Sequence, residues 1–354
     1  MAYDNLRLEK GMYRQSGKTF SQVLEELDPT DNYRGTSLEK TDAFQRQLRR
    51  FGIKAKGPGS SSVEKFFRTM DSAVLFPEYI ARTVRQGMEE NDILPAITAT
   101  TTVIDAMDYR SIYAEMDEQE ATPAAVAEGA AIPATKVRTR DNLISLSKRG
   151  RMLIASYEAI RFQKLDLFSV MLRQIGSYIQ KMQLKDAISV LMDGDGNGNA
   201  AERFTVGEGP ISGEAGELGY DQLVEFWGQF DPYTMNGMIL SSSMMTRLLK
   251  IPELQNPLTG LNFQGTGILA APLGAQLHRT SAVEDGTIIG IDSRYALELV
   301  RAGEVLVEYD KLIDRQLERA AITAICGFGK ICDGAAKVLC IWMPTGWSCI
   351  MICR

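Results

Sequence analysis

Histidine is almost absent from this sequence of 354 residues: His278, within GAQLHRTSA, is the only one. A zinc site of the HExxH type needs two histidines one helical turn apart, so the sequence excludes it. A lone histidine can still serve a nucleophilic triad, but the sequence contains no GxSxG motif. We therefore interpret His278 as a structural or surface residue and predict no catalytic, cofactor-binding or metal-binding residue.

Cysteine is also scarce, and its five copies all lie near the end of the chain, at Cys326, Cys332, Cys340, Cys349 and Cys353. No pair has the CxxC spacing of zinc or thioredoxin chemistry. The odd number argues against a disulfide framework, so we interpret these residues as packed thiols. Residues 341–354 are rich in Cys, Trp, Met and Ile, and we treat them as a separate C-terminal tail.

Long apolar runs and an excess of basic residues are missing too. No window approaches the roughly 18 consecutive apolar residues of a membrane-spanning helix, and MAYDNLRLEK lacks the apolar core of a signal peptide. This predicts a protein made and kept in a cytoplasm, with no membrane partner. A net charge of -6 argues against a general nucleic-acid binder but permits a container for nucleic acid. With 45% hydrophobic residues, the chain can form a substantial core.

The first 70 residues are predicted to be polar and irregular. Turn signals occur at Asp28-Pro29 and over residues 56–62. Between them, Phe44, Leu48 and Phe51 share one face of a short amphipathic helix. Its basic residues are interpreted as a solvated face, with nucleic acid or an acidic neighbour as the alternative: Arg46, Arg49, Arg50, Lys54 and Lys56. Such a segment is predicted to pack no core by itself and to order as an arm against other subunits.

Two helices and a β-rich stretch follow. A helix is predicted from Pro77, a good first-turn residue, and ends before Pro95. Residues 93–116 are rich in β-branched side chains and predict one long strand or two in succession. From about Lys164 to Met192, apolar residues recur at steps of three and four, which predicts a helix about 40 Å long.

Residues 117–147 have an unusual composition. The segment begins acidic, continues through small Ala, Gly and Pro residues, and ends with alternating apolar residues. Because its centre carries little bulky apolar surface, we predict two extended arms joined by a polar tip, received by a neighbouring chain. Glu115, Asp117 and Glu118 could alternatively form the acidic site of an enzyme, but a solvated acidic loop is the interpretation we prefer.

The long predicted helix ends in DGDGNGN. Asp193, Asp195, Asn197 and Gly198 match the first half of an EF-hand calcium loop. The twelfth position, which should be a bidentate Glu, is Phe204. Gly and Asn also favour left-handed turns, and a glycine-rich turn is the interpretation we prefer.

Residues 205–300 predict a mixed α+β region. YDQLVEFWGQF predicts a short helix, and GMILSSSMMTRLLKI predicts a strand followed by a helix with Ser241 or Ser242 as its N-cap. Further strands are predicted within 268–300, around Val305 and Val307, and from Ala320 to Phe328.

The order of these elements resembles the Hong Kong 97-type major capsid proteins of tailed bacteriophages. The resemblance covers about residues 70–340 and is carried by short strings in the right order. These are FFRTMDSAVLFPEYIARTVRQGM, EGAAIP at residues 128–133, LMDGDGNG, GILAAPLG, GTIIGIDSRYALELV and a late strand with Glu308 and Asp310.

This resemblance implies an α+β Hong Kong 97-like capsid fold with an N-terminal arm, an extended β-hairpin loop and a long spine helix between peripheral and axial domains. The implied boundaries, in chain order, are 1–71 for the N-terminal arm, 72–116 for the first part of the peripheral domain, 117–147 for the extended loop, 148–200 for the second peripheral part with the spine helix, 201–299 for the axial domain, 300–340 for the third peripheral part and 341–354 for the C-terminal tail.

The resemblance also implies a function. Such a chain self-assembles into pentamers and hexamers that form an icosahedral head around phage dsDNA, which it contacts non-specifically. The implied location is the virion capsid, assembled in the host bacterial cytoplasm, with a scaffold, a portal and a prohead protease as further partners. In this family, N-terminal extensions can be cut by that protease. The chain is therefore expected not to be an enzyme.

The sequence leaves alternative functions open. An encapsulin-type compartment or a gene-transfer particle would use the same fold, and a soluble enzyme or a calcium-binding module belongs to a different class. Some members of the family also join subunits by Lys-Asn isopeptide bonds. Lys136 and Lys148 are the lysines of the loop, but no Asn and Glu partners match a motif, so no crosslink is assigned.

Overall fold

A computed structural model describes residues 2–14, 18–90, 92–115, 136–255 and 271–341. The EGAAIP string, the acidic candidates Asp117 and Glu118, and the tail with Cys349 and Cys353 lie outside these described residues. Within the described part of the chain, no helix is long and apolar enough to cross a membrane.

Helices and strands alternate along the chain. The α-helices are α1 (Phe20–Leu27), α2 (Ala43–Arg50), α3 (Met70–Glu89), α4 (Leu94–Ile97), α5 (Tyr157–Phe162), α6 (Leu165–Asp193), α7 (Tyr220–Gly228), α8 (Ser242–Leu248) and α9 (Pro252–Gln255). The strands are β1 (Thr100–Ile104), β2 (Ile112–Glu115), β3 (Lys136–Thr139), β4 (Ser147–Ser156), β5 (Glu202–Thr205), β6 (Gly237–Leu240), β7 (Gln276–Arg279), β8 (Thr287–Ile291), β9 (Leu297–Ala302), β10 (Leu306–Leu312), β11 (Leu317–Lys330) and β12 (Ala336–Cys340).

The chain divides into two compact units. The first comprises Met1–Asp92, Lys148–Gln180 and Glu304–Ala324. Its core is a single apolar cluster to which α1, α2, α3, the first part of α6 and the paired strands β10 and β11 all contribute. The fully buried members of this cluster include Leu24, Phe66, Leu75, Ile80, Leu172 and Ile322.

The N-terminal residues are part of this core. Phe20 and Leu24 on α1 and Phe44 and Leu48 on α2 are buried in it. The amphipathic helix predicted around Phe44 is confirmed, but the prediction of an irregular segment is wrong, because α1 and α2 are regular helices that share the core of the first unit. A capping box at Thr19 starts α1, whose apolar residues are too few for periodicity alone to reveal it. Whether this segment also contacts other subunits stays a prediction.

The sequence predicted that Arg46 belongs to a solvated basic face. This prediction is wrong, because Arg46 on α2 is fully buried. Its guanidinium donates to the Asp28 carboxylate at 2.6 Å and to the Thr41 carbonyl at 2.5 Å, and it lies 4.3 Å from the centre of the Tyr33 ring. Tyr33 in turn donates its hydroxyl to Asp28 at 2.6 Å. A buried charge is tolerated here because a carboxylate and several further acceptors surround it.

Helix α3 begins earlier than predicted. Thr69 caps its N-terminus by accepting a hydrogen bond from the Ser72 amide at 3.1 Å. Pro77, predicted in the first turn, lies inside the helix. The N-terminal turns of α3 lack the apolar periodicity that marks the rest, so the proline was the more visible start signal.

The second unit comprises Ile93–Ser147, Lys181–Gly303 and Ile325–Arg354. Its larger sheet has the strand order β5-β12-β8-β6-β7. One side of its core holds the apolar faces of α7 and α8, with Phe226, Met244 and Leu248 fully buried. A second cluster joins the C-terminal half of α6 to β9 and the end of β11. The predicted boundaries of the peripheral and axial domains stay a prediction.

Most predicted elements are present in the structure. Residues 93–115 contain two strands, β1 and β2, as predicted, but Leu94–Ile97 forms the short helix α4 and not a strand. The long helix lies within one residue of its predicted bounds, and Gly194, Gly196 and Gly198 after it have positive φ, as a glycine-rich turn requires. Ser241 is the N-cap of α8. Strand β12 was not predicted.

Candidate functional site

A two-stranded antiparallel ribbon in the second unit flanks the predicted extended loop. Strand β2 pairs with β3 from Ile112↔Thr139 to Glu115↔Lys136. Pairing continues towards the base, where the Arg140 amide donates to the Ser111 carbonyl at 2.8 Å. Strand β3 lies within the predicted second arm, whereas β2 precedes residue 117, and the predicted first arm lies outside the described residues. Ile112 and Val137 are 59% and 66% exposed, so the ribbon presents apolar surface.

The first arm is fastened at its base by a buried carboxylate. Glu298 on β9 is only 5% exposed. It accepts hydrogen bonds from the hydroxyls of Thr102 at 2.6 Å, Tyr109 at 2.8 Å and Ser111 at 2.7 Å. Burial, together with the hydrogen bond to Glu298, raises the pKa of Tyr109. Three donors offset the cost of removing this carboxylate from water.

The second arm is fastened by a guanidinium. Arg140 follows β3 and donates to the Ile331 carbonyl at 2.9 Å, the Lys330 carbonyl at 3.3 Å and the Asp333 carboxylate at 3.1 Å. Two residues further on, the Asn142 side-chain amide donates to the Gly196 carbonyl at 2.6 Å. This arm is therefore joined to the turn after β11 and to the glycine-rich turn.

The acidic side chains of the glycine-rich turn form hydrogen bonds and an ion pair with other groups of the protein. The Asp195 carboxylate accepts from the side chain of Asn197 at 2.9 Å and from the Lys330 amide at 3.0 Å. Burial alone would raise the pKa of Asp195, but these hydrogen bonds outweigh it and lower the pKa. Asp193 pairs with Arg203 at 2.8 Å. Within the described ranges, no three or more His, Cys, Asp or Glu side chains are grouped to hold a metal ion.

Two further titratable residues of the second unit are shifted by burial. Lys330, at the end of β11, is fully buried and its ammonium donates to the Asn199 carbonyl at 2.8 Å. Burial lowers the pKa of Lys330 to about 8. His278 lies on β7, partly buried, and burial lowers its pKa as well. The interpretation of His278 as structural stays a prediction.

The isopeptide candidates and two of the described cysteines, Cys326 and Cys340, lie in strands. Lys136 is the first residue of β3 and Lys148 is an exposed residue of β4. Cys326 is buried, whereas Cys332 and Cys340 are partly buried. For these three, packed thiols were the correct interpretation.

The first unit presents a separate apolar surface. Strand β4 alternates, so Leu153 and Ala155 pack on the core while Met152 and Ile154 face outward. Together with the outward residues of α5 and α6, these form an apolar surface whose members are 49–76% exposed: Met152, Ile154, Phe162, Leu167, Val170 and Met171. An open apolar groove of about 310 Å³ lies within it, between β4 and α6. Apolar surface of this extent is typical of contacts between proteins.

The second unit also has an open polar cleft of about 480 Å³ between α7 and α8–α9. Acidic and basic side chains line it together, among them Glu217, Asp221, Arg247, Lys250 and Glu253. One of its cations, Arg247, already donates to the Gly216 carbonyl at 2.5 Å.

Sequence reasoning missed Glu298 and Arg140. A signal for Glu298 was available, because a single carboxylate stands within the otherwise apolar strand sequence LELV. A charged residue in a strand buried on both faces needs internal partners. Arg140 gave no such signal, since it lies in a polar stretch with other charges.

Comparison with known proteins gives a uniform result at the level of structure. No protein-family model and no curated relative matches the chain. The crystal structure of a virus-like particle from Pyrococcus furiosus matches at 12% identity with a TM-score of 0.50, covering 74% of this chain and 98% of that one. The capsid of a native GTA particle matches at 14% identity with a TM-score of 0.51, covering 74% and 91%. The capsid of an empty GTA particle matches at 13% identity with a TM-score of 0.52, covering 72% and 97%.

Proposed function

The chain has the α+β Hong Kong 97-type capsid fold, and from that premise we propose that it is the major capsid protein of a tailed bacteriophage. In this proposal it self-assembles into pentamers and hexamers that close into an icosahedral head around phage dsDNA. The observation that carries the proposal is the match of the fold to shell subunits over nearly their whole length.

The described surfaces support this role. A shell subunit needs extensive area to bury between copies, typically more than a thousand square ångströms at each stable contact. The exposed apolar side chains of the β2–β3 ribbon and of the surface formed by β4, α5 and α6 are available for burial in such contacts. In the proposal these are contacts between copies, and the chain acts as a structural protein and not as an enzyme.

The charge of the chain suits non-specific enclosure of DNA. A net charge of -6 gives little attraction to phosphates, so packaged DNA would be held by closure of the shell and not by binding to its wall. A scaffold, a portal and a prohead protease complete the proposed set of partners. The proposed location is the virion, reached by assembly in the cytoplasm of a bacterial host.

Negative-stain electron microscopy of the purified protein tests the proposal. Closed shells, or rings of five and six subunits, are the expected result. A population that remains monomeric over a range of protein and salt concentrations would overturn it.

A gene-transfer particle is the second candidate, favoured because two of the matching structures are capsids of GTA particles. Sequencing of DNA extracted from native particles separates the two candidates. One uniform phage genome supports the phage head, whereas a random sample of host fragments supports the gene-transfer particle. Particles that enclose a protein cargo and no DNA would instead support an encapsulin-type compartment.

A further inference from the structure

We propose that Glu298 and Arg140 are positioning residues that fix the direction in which the β2–β3 ribbon leaves the second unit. Only the role of the ribbon, contact between copies, rests on the proposed function. A short two-stranded ribbon is only marginally stable by itself, so its direction must be set by contacts at its base.

The first fixed point is the Glu298 carboxylate. It gathers Thr102 from β1 and Tyr109 and Ser111 from the segment that leads into β2. Ser111 directly precedes β2, and its hydroxyl is buried on the carboxylate. Glu298 is the second residue of β9, and β9 pairs with both β1 and β11, so the first arm is held to an interior strand of a sheet.

The second fixed point is the Arg140 guanidinium. It directly follows β3 and is 92% buried, with carbonyls of Lys330 and Ile331 and the Asp333 carboxylate as acceptors. Its guanidinium also lies 5.0 Å from the ring of Tyr113 on the opposite strand. One side chain thus holds both strands of the ribbon to the turn after β11.

Two glycines let the second arm lie directly on β11. A Cβ at Gly327 would come within 2.6 Å of the Ser145 carbonyl, and one at Gly329 within 2.5 Å of Ile144 Cδ1. Ile144 itself is 3% exposed. The chain that descends from the ribbon is therefore seated in a shallow channel that any side chain at these positions would fill.

Together these contacts attach the ribbon to the second unit and also fix the direction in which it leaves that unit. A single anchor leaves the ribbon free to pivot, whereas anchors on opposite strands, joined to β9 and to the turn after β11, define an axis. Both anchors are charged groups removed from water. Burial of a paired charge adds little net stability compared with apolar packing, but it makes the geometry of the ribbon's base more specific. Directional hydrogen bonds to charged groups are suited to that role.

Amide hydrogen exchange of the unassembled subunit tests the proposal. Wild-type protein is expected to show protection in residues 111–115 and 136–140. Arg140→Met, and separately the double variant Tyr109→Phe with Ser111→Ala, should accelerate exchange there about tenfold to a hundredfold. Exchange in β6 and β8 should stay unchanged. The matched comparison is Arg138→Met, at an exposed position of the same strand, which should accelerate exchange much less than Arg140→Met.

Three results would overturn the proposal: an unprotected ribbon in the wild type, wild-type exchange in both anchor variants, or an equal acceleration in the ribbon and in β8. The last would make these residues general stabilisers. Ser111→Ala alone, which removes one hydroxyl, serves as the milder variant if Arg140→Met does not fold.

Assembly is measured in parallel and keeps the two proposals distinguishable. If wild-type protein forms shells, the anchor variants should form fewer closed shells than Arg138→Met under the same conditions. If wild-type protein forms no shells, the proposed function fails, while the exchange measurement still decides whether Glu298 and Arg140 position the ribbon.

Discussion

At the scale of single residues, the charged side chains inside the two units are the most informative. Arg46 and Asp28 form a buried pair in the first unit, with exposures of 0% and 1%. Neither could remain charged there alone, because desolvation of an unpaired charge costs several kcal/mol. The pair links α2 to the end of α1, and Tyr33 completes it by donating to the carboxylate.

Removal of Arg46 is therefore expected to destabilise the protein strongly. Arg46→Ala leaves the Asp28 carboxylate buried without its cation, and we expect a loss of about 3–5 kcal/mol in the free energy of unfolding. Arg49→Ala, on the exposed side of the same helix, is the matched control and should change it by less than about 0.5 kcal/mol. Urea denaturation followed by circular dichroism measures both, and equal losses would show that the burial of Arg46 contributes nothing.

Lys330 gives an expectation for the dependence of stability on pH. Its pKa is lowered to about 8 in the folded chain from an ordinary value of 10.5. Between these values the unfolded chain binds the proton and the folded chain does not, so stability should rise with pH across this window. The gain, at most about 3 kcal/mol, is lost progressively as the pH falls from about 10.5 to about 8.

Lys330→Met removes this titration. We expect the free energy of unfolding of the wild type to rise relative to that of the variant between pH 8 and pH 10. Parallel denaturation curves of the two proteins at each pH give the comparison, which cancels the titration of other groups. A constant difference across the range would contradict the expectation.

At the scale of elements, α3 and the first part of α6 touch backbone to backbone inside the first unit. A Cβ on Gly87 would overlap the Arg173 carbonyl, and one on Gly176 would overlap the Val84 carbonyl. Backbone atoms cannot move aside as the end of a flexible side chain can. These two glycines therefore set the distance between the two helices.

Gly176→Ala should destabilise the protein even though alanine is the better helix former by about 1 kcal/mol. We expect a net loss of about 1–3 kcal/mol, because the added methyl forces the helices apart. Gly228→Ala is the control, since nothing lies within 4 Å of that position. It should be neutral or slightly stabilising in thermal denaturation. A stabilising effect of Gly176→Ala would show that the helices can separate freely.

How far the sequence predicts an element depends on how its signal is distributed. Helix α6 and strand β11 carry many apolar residues at regular spacing, so both were predicted. Helix α1 and strand β12 are short, and their burial comes from neighbours distant in sequence. The anchors at Glu298 and Arg140 depend on such long-range contacts entirely, which is why only the ribbon and not its attachment was predicted.

At the scale of the whole molecule, the segment between β2 and β3 includes the tip of the loop that is predicted to contact a neighbouring copy. Replacement of residues 116–135 by a two-residue Asn-Gly turn should close the ribbon, because Glu115 and Lys136 are already paired. We expect folding and thermal stability near the wild type but no closed shells, since this segment is the predicted contact with a neighbouring copy. Thermal denaturation and electron microscopy give the two readouts. Normal shells from the shortened chain would exclude that role.

The contacts of the N-terminal segment with α3 make its proteolytic removal unfavourable for the folded subunit. Tyr13 donates to the Val74 carbonyl at 2.8 Å and stacks on Phe20, and Arg82 of α3 pairs with Asp42 at 2.5 Å. Proteolytic removal of the residues before Met70 would remove these partners and expose the apolar side of α3 to water. We therefore expect the residues before Met70 to remain part of the folded subunit.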